Sequence, residues 1–120
     1  MSGNLIASAA EHWMTVHGHV SHSQVDCSHF VAAVLQAAGV SGFKYITANE
    51  YTHSHYFRKV DTAEAGDIVH WPGHVAIVID PATGTFIGSQ TSTGVDKSSY
   101  KSNPYWSHRN PRTFLRLQAQ

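Results

Sequence analysis

The run AGDIVHWPGHVAIVIDPATGTFIGSQ, residues 65–90, constrains the fold more than any other part of this chain. A Gly-Asp turn opens a β-rich stretch, Pro72-Gly73 closes it, and a second apolar stretch runs from His74 to the turn residues of PATG before a third begins. β-Branched and aromatic residues bounded by turn residues read as strands, and their spacing predicts three sequential antiparallel strands. RTFLRL, residues 112–117, alternates as a further strand near the end of the chain.

The first third has a different period. Leu5, Ile6, Ala9, Trp13 and Val16 recur at helical spacings with Asn4 near the cap, and HGHVSHSQVD then reads as a polar loop. From Ser28, the positions Phe30, Val31, Val34, Leu35 and Ala38 form a second apolar stripe, stopped by Gly39. Residues 41–64 show weak periodicity and read as loop or short helix. Helices first and strands after predict an α+β fold, with N-terminal helices packed on a small antiparallel sheet. A length of 120 residues predicts one domain over 1–120.

Eight basic residues balance eight acidic ones, so the chain lacks the charge footprint of a nucleic-acid binder, and no stretch is long and apolar enough for membrane insertion. The single cysteine forms no internal disulfide. Free cysteines are among the most buried residue types, so a hydrophobic role is the default for Cys27. Its context points elsewhere. It stands between Asp26 and Ser28 at the start of the second helix, where unpaired backbone N–H groups and the helix dipole favour thiolate over thiol. A thiolate nucleophile needs an imidazole partner, and His74 opens an apolar strand of the sheet.

DCSHFV, then AGDIVHW, GHVAIVID and FIGSQTSTGV, resemble in order and spacing the NlpC/P60 family of papain-like cysteine peptidases, over about residues 5 to 117. The resemblance implies a cysteine heading a helix packed on an antiparallel sheet, and hydrolysis of amide bonds in the stem peptides of bacterial peptidoglycan. By position it assigns Cys27 as nucleophile and His74 as general base, with Asp26 and Ser28 flanking the substrate cleft. His29 and Trp71 complete the candidate substrate-binding set. The backbone N–H of Cys27 is the candidate oxyanion donor.

Three positions depart from the family pattern. His29 replaces a glycine, and the aromatic expected well before the cysteine has only Trp13 and the loop histidines as equivalents. Gly88 occupies the place of the third, ring-orienting residue; strand alternation puts Gln90 on the same face, so its amide is the candidate replacement. His70 is a rival base four residues before His74, set apart by the Pro-Gly turn.

His17, His19, His22, His53 and His55 match no known zinc-ligand spacing, so neither metal nor cofactor is expected. The expected partner is a peptidoglycan stem peptide, and the expected state a monomer. The chain shows no signal-peptide pattern, which predicts delivery to the periplasm or cell wall by a signal-independent route. An antibacterial toxin, with an immunity protein in its producer, is the role that route suggests. Two other readings stand beside this one: a papain-like acyltransferase or transglutaminase-like enzyme, and a His-rich metal-binding module without catalysis.

Overall fold

The computed structural model describes residues 3–118. Helix α1 (Gly3–His17) packs against α2 (Cys27–Ala37), and both lie on a six-stranded sheet. The strands are β1 (Phe57–Val60), β2 (Ile68–Trp71), β3 (His74–Asp80), β4 (Thr85–Gln90), β5 (Gly94–Ser99) and β6 (Thr113–Leu117). Their order in the sheet is β1-β6-β2-β3-β4-β5, with every neighbouring pair antiparallel. The α+β expectation holds.

Alternation along the strands divides the core into two layers. Val75, Ile77 and Ile87 face the helices and pack with Phe30, Val31, Val34 and Leu35 of α2, all with no exposed surface. Ala76, Val78 and Phe86 face the other way, onto Trp71, Tyr100 and Trp106. This second layer is covered by the short helix α3 (Pro104–His108), which starts with Asn103 accepting the Tyr105 N–H and Pro104 in the first turn. On β6, Arg116 donates two bonds to the buried Asp67 carboxylate, at 2.9 and 2.8 Å, tying that strand to the turn that opens β2.

The sequence expectations differ from the structure at several points. α1 buries Ile6, Ala7 and Ala10, while Leu5 and Val16 of the expected stripe are 56% and 60% exposed. β1, β5 and α3 were not expected, and the weakly patterned 41–64 region holds β1 and a 3-10 turn over Ala48–His53. α2 ends where expected, with Gly39 at φ +88.

Candidate active site

Asp26 begins α2. Its backbone is extended, and its side-chain Oδ1 accepts the His29 N–H at 2.9 Å, the geometry of a helix N-cap. Cys27 is therefore the first helical residue, 6% exposed, with its Sγ 3.9 Å from the Gly73 carbonyl oxygen. Burial raises the thiol pKa; the backbone N–H groups of Val75, Ser28 and Cys27 oppose this, and the Asp26 charge reinforces it. The net shift is upward. The thiolate expected at a helix N-terminus is thus not the resting form, because losing solvent costs the anion more than the backbone donors return.

His74 opens β3 directly after the Pro72-Gly73 turn. Gly73 has φ +81, and its N–H donates to Asn49 Oδ1 at 2.8 Å. The same oxygen lies 3.3 Å from His70 Nε2, so the 3-10 turn and β2 together hold the loop that carries both the Gly73 carbonyl and His74. The His74 ring is stacked on Trp106, with centroids 4.8 Å apart, and is 5% exposed. Burial pulls its pKa down to about 4, helped by the Arg109 charge and more weakly by His22 and His70, while the Gln90 amide works in the opposite direction. At neutral pH the cysteine and the histidine are both uncharged.

Gln90 stands across from His74. β3 and β4 pair Ile77 with Ile87 and Val78 with Phe86, and the same step continued toward the cleft sets Ala76 against Gly88 and His74 against Gln90. Gln90 Nε2 donates to the Asp96 carbonyl at 3.2 Å, which leaves Oε1 for the ring. Gln90 Oε1 and His74 Nε2 are both buried and neither has a closed hydrogen bond. Gly88 makes room for this arrangement: a Cβ there would stand 2.6 Å from Gln90 Oε1 and 2.8 Å from Ala76 Cβ.

These residues open into a cleft of about 860 Å³ lined by His22, Asp26, Cys27, Ser28, Tyr45, Gly73, His74 and Gln90, together with Lys97, Tyr105, Trp106 and Arg109. Residues 14–113 match the pattern of the NlpC/P60 family. The chain belongs to the NlpC/P60 family. Members of this family are cysteine peptidases and amidases acting on peptidoglycan. No curated protein matches the chain.

Within this NlpC/P60 domain, two of the expected substrate-binding residues lie elsewhere. Trp71 has no exposed surface and packs beneath the site against Phe86 and Trp106, so the wall indole is that of Trp106. His29 stays outside the cleft lining, where its Nδ1–H donates to Asp26 Oδ1 at 2.7 Å. Burial would raise the Asp26 pKa, but bonds from the His29 backbone and ring and from Ser28 bring it below the usual carboxylate value.

Of the equivalents proposed for the missing aromatic, Trp13 packs edge-on against Phe30 in the core, whereas His22 reaches the cleft with its Nδ1–H donating to the Ser89 carbonyl at 3.0 Å. His70 is buried, bonded to Asn49 and outside the lining. Among the described residues, no group of three or more His, Cys, Asp or Glu is placed to hold a metal ion. Trp106 reads in the sequence only as a core or cleft-wall aromatic, and Tyr45, Arg109 and Asn49 carried no sequence signal for the site; loop packing brings them there.

Proposed function

We propose that this NlpC/P60 protein is a cysteine amidase or endopeptidase that hydrolyses an amide bond of the peptidoglycan stem peptide through Cys27, His74 and Gln90. The observation that carries this reading is that a cysteine at the first position of a helix and a strand-opening histidine line one cleft, with the Gln90 amide acting on the histidine ring and its oxygen otherwise unused.

The chemistry follows from the resting charges. In the proposed tautomer His74 carries its proton on Nε2, for which Gln90 Oε1 is the acceptor, and Nδ1 is unprotonated to accept the thiol proton. Because the thiol is raised and the imidazole lowered, that transfer accompanies attack of sulfur on the substrate carbonyl rather than preceding it. The Cys27 backbone N–H, at the start of α2, stabilises the tetrahedral oxyanion. The imidazolium returns its proton to the leaving amine, a thioester remains on Sγ, and a water deprotonated by His74 releases the acid. Gln90 orients the ring through a neutral acceptor and adds no negative charge. Burial and Arg109 disfavour the imidazolium, which drives its proton onto the leaving group.

The test is digestion of purified peptidoglycan followed by mass analysis of the soluble fragments. Wild type releases muropeptides with a newly exposed amine and carboxylate, and Cys27→Ala releases none. Equal release by both proteins overturns the assignment; fragments joined to an added amine in place of water indicate acyl transfer instead. Action as a delivered antibacterial toxin makes a separate prediction: directing wild type, but not Cys27→Ala, to the bacterial periplasm lyses the cells.

A further inference from the structure

The loop between α2 and the 3-10 turn carries Tyr45, a residue 41% exposed that forms the cleft wall on the Asp26 and Ser28 side of the nucleophile. No regular secondary structure holds residues 43–47. The Tyr45 side chain is fixed from the first turn of α2 at two points. Its ring lies on the His29 imidazole, with centroids 4.1 Å apart and planes inclined by 20°. Its hydroxyl is 2.8 Å from Ser28 Oγ.

The first turn is itself cross-tied. Asp26 Oδ1 receives the His29 backbone N–H at 2.9 Å, the His29 Nδ1–H at 2.7 Å and the Ser28 hydroxyl at 3.2 Å. The helix cap thereby sets the plane of the His29 ring, and that ring sets the plane of the tyrosine. A glycine at position 29 supplies neither the carboxylate bond nor the stacking surface.

We infer that His29 is a positioning residue which holds Tyr45 as a fixed wall of the substrate cleft, and that it selects the stem-peptide segment lying on the Asp26 side of the scissile bond. The inference rests on the proposed peptidase reading for its substrate, but the His29–Tyr45 contact stands apart from it. A wall fixed before substrate arrives binds ground state and transition state alike, so its loss weakens binding and leaves the chemical step at Cys27 and His74 in place. Aromatic stacking needs a flat ring more than it needs a nitrogen, so a phenyl group substitutes for the imidazole.

The decisive measurement is the split between KM and kcat on a soluble muropeptide. His29→Ala and His29→Gly raise KM about three- to tenfold and change kcat less than about twofold. His29→Phe restores most of the lost KM. Tyr45→Ala raises KM at least as much, and adding His29→Ala to it produces no further change, since the histidine acts through the tyrosine. An unchanged KM in His29→Ala, a loss confined to kcat, or additive effects in the double variant overturns the inference.

If wild type cleaves no muropeptide, the peptidase reading is what has failed, and the contact is read without turnover. The Tyr45 ring resonances, assigned by comparison with Tyr45→Phe, shift in His29→Ala through loss of the imidazole ring current and shift much less in His29→Phe. Ring resonances that stay in place in His29→Ala show that the stack does not exist in solution.

Discussion

The two faces of the sheet are built for different ends. On the helix face, α2 sets Phe30, Val31, Val34 and Leu35 against Val75, Ile77 and Ile87, a layer of aliphatic and aromatic side chains with no exposed surface. The opposite face carries fewer apolar groups, a five-residue helix for cover, and, among the described residues, three of the four buried side-chain polar atoms without a closed hydrogen bond: Trp71 Nε1, His74 Nε2 and Gln90 Oε1. Buried polar atoms without partners cost stability. His74 and Gln90 lie at the end of β3 and β4 that meets the cleft, with Trp71 beside them at the end of β2, so the helix face supplies stability that this end of the sheet gives up.

The largest expected effect separates the two functions completely. Cys27→Ala and His74→Ala each remove muropeptide release, by more than about a thousandfold, while denaturant titration shows both variants folded. Because base and nucleophile act as a unit, the double variant is no worse than either. If His70→Ala abolishes release and His74→Ala does not, the base has been misassigned.

On the helix face the order reverses. Phe30→Ala costs about 3–5 kcal/mol in denaturant unfolding, as expected for truncation of a fully buried ring. Whatever stays folded retains the turnover of wild type per folded molecule. A loss under about 1 kcal/mol would break the contrast between the faces.

Gln90 gives an intermediate effect. Gln90→Ala reduces turnover about ten- to a thousandfold, because an orienting acceptor is lost but the proton transfer survives. Gly88→Ala, although it substitutes no polar group, follows the same direction, since its new Cβ displaces the amide. Gln90→Glu raises the His74 pKa. The working form is the neutral ring, so the acid limb of the kcat/KM profile, set near about pH 4 in wild type, moves upward in pH. An unmoved acid limb sinks the Gln90 assignment.

The smallest effect is on stability against pH. His74 titrates at about 4 in the folded protein and near 6.5 in the unfolded chain, so the unfolded state binds more protons between these values. Stability from this residue is complete above about pH 6.5, declines as pH falls to about 4 and levels off below, a loss of up to about 3 kcal/mol. His74→Gln removes that share of the decline. Parallel stability profiles for the two proteins would show that the ring is not buried neutral.

The two faces also differed in how legible they were. β2, β3, β4 and β6 were readable because buried strands concentrate β-branched and aromatic residues between turn residues. The two edge strands were not. FRKV places two charges in four residues and GVDKSS is almost wholly polar, since an edge strand is specified by its neighbour rather than by burial; β5 pairs with β4 at six successive positions. α2 was readable down to its cap, whereas the stripe of α1 was right only in part: Ile6, Ala9 and Trp13 pack on the core while Leu5 and Val16 are exposed, because Leu5, Ile6, Ala7, Ala9 and Ala10 offer too little contrast to choose one stripe.

Cys27 and His74 stood out because their chemistry is tied to an element start. Trp71 was set on the wrong side of a wall, and Tyr45 and Arg109 were missed, because their positions depend on how loops close over the sheet. The direction of the thiol shift was misread for a related reason: a helix end is a local feature, but the burial that overrides it is supplied by the whole fold.

The glycine under Gln90 Oε1 carries a lesson about how such a site is encoded. Residues two apart on a strand share a face, so a polar group can be delivered to one point beside His74 either upward from position 88 or sideways from position 90, provided the unused position is vacated. What the proposed reaction requires is an acceptor at a location in space, and the backbone offers that location two addresses. A sequence pattern indexed by position reads the move as a lost residue. To the imidazole, it is a change of tenant.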